Sequence, residues 1–217
     1  MISVHIASIP DREDSLRRVI EAFLPRVDRV FIALNGYPAV PGWMKAMPKV
    51  KGELLDNSLK DCAKFLFIHE AEGLCFVHDD DLIPSPDYTG KLMRGLKRYG
   101  GVVGVHGKVY PRPVETFRRW KANYRCLGNV SEDVRVDILG TGCMLMDSTR
   151  TAIDLSVFEY PGIADITFAR MCAKNGIRQT VLRHNSSILT YVTPQSTIWR
   201  NTRDFTLHNK LIREFLK

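Results

Sequence analysis

The sequence predicts an α/β fold, a mixed and mainly parallel sheet flanked by helices, in a single domain spanning residues 1–217. Three observations lead there. Residues 2–34 read strand, helix, strand with short connections, which is how a βαβ unit is written. A further apolar run, Leu74 to Val77, leads within one residue into three carboxylates, Asp79, Asp80 and Asp81. Polar or Gly/Pro turns close one strand after another, and a parallel sheet binds its ligand at those carboxyl ends.

The elements follow in order. Ile2 to Ile9 alternates and is rich in β-formers, and Pro10 to Asp14 turns into a helix whose Leu16, Val19, Ile20, Phe23 and Leu24 recur at helical spacing. Val30 to Leu34 is a second buried strand, closed by Asn35-Gly36-Tyr37. Pro38 to Pro48 is a loop, and Lys49 to Leu55 a short third strand. Ser58 to Phe67 reads as a helix with Leu59, Cys62, Ala63 and Leu66 on one face. After the aspartates come a helix from Pro86 to Tyr99 and a strand from Gly101 to His106. Residues 107–134 show no clear period, and an irregular stretch of that length in a compact domain marks a lid or binding loop. Arg135 to Leu139 and Cys143 to Met146 are strand-like on either side of Gly140-Thr141-Gly142. A helix begins near Asp165 and stops at Asn175-Gly176, a left-handed ending. Gln179 to Leu182 and Ile188 to Val192 are strands, and 203–216 is amphipathic.

Composition narrows the classes. With 217 residues, 45% hydrophobic and 25% charged, the chain can bury a globular core. No basic and apolar leader opens it, and no apolar run is long enough for a transmembrane segment. The five cysteines lack CxxC spacing, so buried free thiols in a reducing cytoplasm are expected and a zinc site is not. A net charge of +7 favours anionic partners. Much of it crowds one stretch, where Arg112, Arg118, Arg119, Lys121 and Arg125 alternate with Tyr110, Phe117, Trp120 and Tyr124. Such a run is either a solvated face or a functional patch.

Three adjacent carboxylates repel one another, a state that a bound cation relieves, and hard oxygen ligands suit Mg²⁺ or Mn²⁺. In an extended segment Asp79 and Asp81 share a face and Asp80 takes the other. A solvated acidic turn capping the next helix is the plainer alternative. Around the aspartates the other strand ends, Ser8-Ile9-Pro10-Asp11-Arg12, Asn35-Gly36-Tyr37, Asp56-Asn57 and His106-Gly107, gather hydrogen-bonding groups and charge on one rim.

Ile6 to Arg12, Leu34 to Tyr37, Asp61 to Phe65, Asp79 to Leu82, Val105 to Gly107, Gly140 to Gly142 and Ala164 to Ile166 occur in an order that resembles the family-2-like glycosyltransferases of GT-A fold, over about residues 2–180. The resemblance implies a Rossmann-like donor half (1–106) and an acceptor half (107–217). It implies transfer of a sugar from a nucleotide-sugar donor with inversion, and a divalent metal on the DxD. Asp79 would face the ribose or metal and Asp81 would ligate the metal. His184, or failing that His208, would add a third ligand. Lys64 would meet the diphosphate, Ser8, Ile9 and Arg12 the base and ribose, and His106 the donor sugar. Asn35, Asp80, Gly140, Thr141 and Gly142 would complete the donor site. Asp56 could accept a uracil imide N–H, which would favour a UDP donor. Asp165 would be the base that deprotonates the acceptor hydroxyl, although many relatives carry a paired acidic motif where this chain has Ala164; the simple alternative is a helix cap. Arg118, Arg119 and Trp120 would bind an anionic acceptor, such as modified DNA or a glycan or lipid-linked phosphate.

Two other classes compete. A nucleotidyltransferase would use a similar sheet, paired carboxylates and metal, but usually with a Gly- and Arg-rich phosphate loop after the first strand, whose glycines Ile9-Pro10-Asp11-Arg12 lacks. A non-catalytic nucleic-acid-binding module would explain the charge, and its binding would weaken steeply with salt.

Overall fold

The computed structural model describes residues 1–153, 156, 158–192 and 203–216. Strands β1 (Ile2–Ser8), β2 (Arg29–Asn35), β3 (Val50–Leu55) and β4 (Leu74–Asp79) pair in parallel, with β1 between β2 and β4. Beyond β4 lies β11 (Cys143–Asp147), antiparallel to both β4 and β6 (Val102–Gly104). Next to β6 is β12 (Gln179–Val181), parallel to it, and β9 (Val134–Arg135) closes that edge. The order β3-β2-β1-β4-β11-β6-β12-β9 makes a mixed, mainly parallel sheet. Two small sheets flank it, one of β7 (Gly107–Val109), β8 (Ala122–Tyr124) and β10 (Ile138–Leu139), the other of β5 (Leu82–Pro84) and β13 (Leu189–Tyr191).

Alternation along the strands splits the core between two faces. Val4, Ile6, Val30, Ile32, Leu34 and Phe76 point to the face covered by α1 (Glu13–Phe23) and α3 (Tyr88–Tyr99). Phe31, Cys75 and Val77 point to the other, packed by Phe65 and by Phe168 of α4 (Ala164–Lys174). A third cluster joins Tyr110, Val114 and Phe117 to Ile166 and to Leu211 and Ile212 of the C-terminal helix Thr206–Phe215. Among the described residues, no helix is long and apolar enough to cross a membrane.

The structure departs from the sequence reading in four places. Residues 58–67 do not make an α-helix: Lys60–Phe65 is a 3-10 helix, entered through Asn57 (φ 68°) and Lys60 (φ 47°) in the left-handed region. Asn35 Nδ2 donates to the Lys60 carbonyl at 2.9 Å and holds that turn against β2. Residues 107–134 contain β7 and β8, three residues each and too short to show a period. The 135–139 run is divided, Arg135 in the main sheet and Ile138–Leu139 in a small one. Within the 38–48 loop lies a short helix, α2 (Gly42–Lys45).

Gly100 and Gly101 both sit at φ 63°, where α3 hands over to β6. A Cβ at Gly101 would lie 2.3 Å from the Arg178 carbonyl oxygen, whereas one at Gly100 would meet nothing within 4 Å. Gly100→Ala is therefore expected to cost backbone strain alone, about 1–3 kcal/mol. Gly101→Ala should cost clearly more, because the clash with the Arg178 carbonyl, just ahead of β12, adds to the strain. Urea midpoints of the two variants check this, and equal losses would refute the close approach.

Candidate active site

The carboxyl ends of β1, β2 and β4 open into a cavity of about 800 Å³, bounded on its far side by β7, β11 and the start of α4. Its floor is Asp79-Asp80-Asp81. Asp79 ends β4 but Asp80 and Asp81 form the turn into β5, so the alternation expected of an extended segment does not hold and all three line the cavity. His78 secures that turn: its Nε2 lies 2.7 Å from the Leu82 carbonyl and its Nδ1 3.4 Å from the Tyr88 hydroxyl. Burial holds His78 neutral, its pKa lowered to about 4. The nitrogen facing the carbonyl must then carry the proton.

Two cations meet the three carboxylates. Lys64 Nζ, 4% exposed, donates to Asp79 Oδ1 at 2.6 Å, and the bent 3-10 segment delivers it there. Burial would strip its proton, but the charges of Asp79 and Asp61 outweigh burial and keep it an ammonium. The Pro10–Arg12 turn brings Arg12 Nη1 to Asp80 Oδ1 at 2.7 Å and Asp81 Oδ2 at 3.4 Å. Asp81 carries the uncompensated charge. Burial, then Asp79 and Asp80, push its pKa up to about 7 against the pull of Arg12.

The remaining wall positions this floor. Gly142 is where it is because a Cβ there would stand 1.9 Å from Asp79 Oδ2, and its carbonyl accepts the Asp79 N–H at 2.9 Å. Gly140 gives the same clearance to the His106 ring. Thr141 donates its N–H and its hydroxyl to Asp165 Oδ1, at 2.8 and 2.7 Å, which aims Asp165 into the cavity from the first turn of α4. Asp165 is not the cap of that helix. The cap comes from a distant residue, Asp61, whose carboxylate accepts the N–H groups of Gly162 (2.7 Å) and Ala164 (3.1 Å). Asp61 stands three residues before Lys64 on the same short helix, a spacing that could have flagged it. Ser8, Ile9 and Asn35 close the β1–β2 side. Tyr37 donates to the Ile9 carbonyl at 3.0 Å. Lys108 and His208 enter from the opposite side; His208, the second candidate for a metal ligand, lines the cavity, and Lys108 had no role assigned from its sequence neighbourhood.

Several sequence-predicted residues lie elsewhere. Asp56 is exposed and accepts the Ser58 N–H at 2.9 Å; Asn57 and Lys60, not Asp56, reach the cavity. His184 lines a separate hollow, with its ring nitrogens 2.7 Å from the Leu182 carbonyl and 3.2 Å from the Arg125 carbonyl, so it is not brought to the aspartates. Arg118 and Arg119 are exposed outside the cavity, Arg119 paired with Glu115 and Arg118 over the Phe205 ring. Trp120 is half-buried beneath Lys108, and Tyr110 and Phe117 belong to the core. Arg112 pairs with Asp137 at 2.8 Å. Tyr110 and Phe117 pack against the C-terminal helix, and Phe117 also lines the cavity.

Among the described residues, no group of three or more His, Cys, Asp or Glu side chains is arranged to hold a metal by itself. Mg²⁺ commonly binds through one or two carboxylates and completes its shell with substrate phosphates and water. Asp79 and Asp81, the latter short of positive charge, fit that incomplete kind of site.

No family model matches the chain, and no curated protein does. Its fold is shared with a nucleotidyl transferase from Methanothermobacter thermautotroptrophicus, at TM-score 0.55 and 15% identity over 96% of this chain and 99% of that one. It is also shared with a 4-diphosphocytidyl-2C-methyl-D-erythritol synthase from Anaerococcus prevotii, at 0.53 and 10% over 92% and 95%. At such identities the likeness establishes the fold alone, a mixed and mainly parallel α/β sheet flanked by helices. It also overturns the expectation of an inverting glycosyltransferase, because the matched chains are a nucleotidyl transferase and a diphosphocytidyl-methylerythritol synthase; the nucleotidyltransferase alternative is the better supported.

Two tests follow from the charge arrangement. Asp79→Asn strands a buried ammonium and is expected to cost about 2–3 kcal/mol, the low end for a broken pair because Asp79 itself faces the cavity. Adding Lys64→Met should recover much of that loss in urea unfolding; no recovery would mean that Lys64 does not depend on Asp79. Asp81, raised in the folded state, holds its proton more tightly there than in the unfolded chain. Its contribution to stability is complete below about pH 4 and lost as pH rises through about 7. In EDTA, Asp81→Asn should match the parent near pH 4 and exceed it by about 1–4 kcal/mol at pH 8.

Proposed function

We propose that this chain is a nucleotidyl transferase, moving the nucleotidyl group of a nucleoside triphosphate to a hydroxyl acceptor. The observation that carries the reading is the floor of the cavity. Three clustered carboxylates with Lys64 and Arg12 interleaved stand at the carboxyl ends of a parallel sheet, where this class of fold places phosphates. Asp79 and Asp81 would hold a Mg²⁺ or Mn²⁺ ion, which when bound supplies charge neutralisation and Lewis acidity to the phosphates.

The protein's own groups divide the remaining work. Lys64 and Arg12 are cations fixed before substrate arrives, so they meet phosphate charge without reorganising. The loop after β1 lacks the glycines of a backbone phosphate cradle, and Arg12 takes that role with a side chain. The β1–β2 side of the cavity, lined by Ser8, Ile9 and Asn35, receives the nucleoside. Asp165 stands on the acceptor side, oriented by Thr141. A carboxylate there repels a phosphate monoester and suits a hydroxyl. The acceptor oxygen attacks the α-phosphorus, the bond to the bridging oxygen breaks, pyrophosphate leaves, and the hydroxyl proton passes to Asp165.

Thermal unfolding with each of the four nucleoside triphosphates, and with UDP-sugars, with and without Mg²⁺, tests this. At about 100 times Kd the preferred triphosphate should raise Tm by about 5–10 °C in a Mg²⁺-dependent way. Pyrophosphate release with a pool of hydroxyl compounds is the activity readout, and Asp165→Asn should lower it about a hundredfold with binding intact. Stabilisation by nucleotide-sugars but by none of the triphosphates would refute the proposal.

A further inference from the structure

We propose that this chain pairs with a second copy of itself along the free edge of β3, antiparallel and in one register, so that the main sheet runs on from one chain into the other. β3 is the last strand of that sheet, with β2 on one side and no strand on the other among the described residues. Its residues, Val50–Leu55, include no proline, and an unprotected edge of that kind is a template for another strand. Leu54 stands 44% exposed on it. The opposite edge of the sheet is the two-residue β9, too short to serve in the same way.

The backbone fixes which residues can pair. The carbonyls of Lys49 and Leu55 accept the N–H groups of Val30 and Gly36, at 2.9 and 2.7 Å, so residues 49, 51, 53 and 55 turn their backbone groups toward β2. Val50, Gly52 and Leu54 turn theirs outward. The Val50 N–H is closed by the Met47 carbonyl at 3.0 Å, where the edge begins. The Val50 carbonyl and the N–H and carbonyl of both Gly52 and Leu54 have no backbone partner among the described residues.

A twofold axis at Gly52 matches these groups to themselves. Gly52 lies opposite Gly52 of the second copy and exchanges two hydrogen bonds with it, and each Leu54 N–H donates to the Val50 carbonyl across the seam. Lys51 falls opposite Glu53 in the non-hydrogen-bonded positions, where facing side chains come closest. The two neighbouring registers that use the same outward groups set Lys51 against Lys51 or Glu53 against Glu53, like charges face to face. Only the register centred on Gly52 avoids both. Glu53 has no ion pair within its own chain among the described residues, and Lys51, which meets Glu70 at 2.7 Å, keeps half of its side chain exposed. Charge therefore selects the register, and backbone pairing supplies the attraction. One strand edge covers less than the roughly 1,200 Å² of a stable complex, so the dimer is weak and concentration-dependent.

Sedimentation velocity of the full chain from about 10 to 500 μM tests this, in about 0.15 M salt to screen the repulsion between two copies of net charge +7. The expected result is a monomer–dimer equilibrium with Kd inside about that range, and slower hydrogen exchange of the Gly52 and Leu54 amides at the higher concentration. Glu53→Lys sets two ammonium groups face to face on each side of the axis and should weaken the dimer about tenfold or more. Its Tm should stay within about 2 °C of the parent, because the position is exposed. Adding Lys51→Glu restores opposite charges in the same register and should recover dimerisation. A chain that stays monomeric over the whole range leaves the edge to solvent or to a different protein and would overturn the proposal. So would a dimer that Glu53→Lys leaves intact, or a double variant that stays as weak as the single one. None of these readouts depends on the activity proposed above, so the two can fail separately.

Discussion

The structure turns on an imbalance of charge at the end of one strand. Three aspartates stand side by side at the end of β4, and two cations, Lys64 and Arg12, are held against them. Mutual repulsion would otherwise protonate or separate the carboxylates. Each cation needs its own piece of architecture. Lys64 requires a 3-10 segment bent through two left-handed residues and tied to β2 by Asn35. Arg12 requires the proline turn after β1. The balance is left incomplete at Asp81, whose carboxyl burial and its acidic neighbours push up to about 7, and the metal proposed for this floor would complete it.

Clearance around Asp79 shapes the opposite wall. Antiparallel β11 lies directly against β4, so the backbone entering it passes over the Asp79 carboxylate at a distance only glycine tolerates. Thr141, between Gly140 and Gly142, then turns its donors the other way and aims Asp165. One tripeptide thus sets two carboxylates on facing sides of the cavity. Asp61 completes the frame by capping α4 from the segment that carries Lys64, which couples the position of the cation to the position of Asp165.

The correction of function has a physical basis. Strand ends rich in hydrogen-bonding groups, a cluster of aspartates and a nearby lysine are demands of binding phosphates on a sheet edge. They do not say which bond of the nucleotide is broken. The glycosyl-transfer reading rested on the order of those motifs, which is compatible with either reaction. The basic and aromatic run of 110–125 is a separate case: Arg112 and Arg119 have acidic partners and Tyr110 and Phe117 are buried. Spacing of charge along a chain carries no record of what each charge will meet.

By itself the sequence determined the layered architecture and the edge that matters. The β1–α1–β2 unit, the strand leading to Asp79, the helix that ends at Gly176 and the amphipathic C-terminal helix were all legible, because period and turn chemistry are local properties. So was the gathering of Ser8, Arg12, Asp79–Asp81 and His106 on one rim, since strand ends in a parallel sheet must coincide; Lys64 and Asp165 were placed there only by the family resemblance. Only tertiary structure decided that Asp56 and His184 stand apart and that Asp61 caps α4. Those outcomes hang on contacts between segments far apart in the chain and on short strands of two or three residues, where no local pattern is long enough to specify a partner.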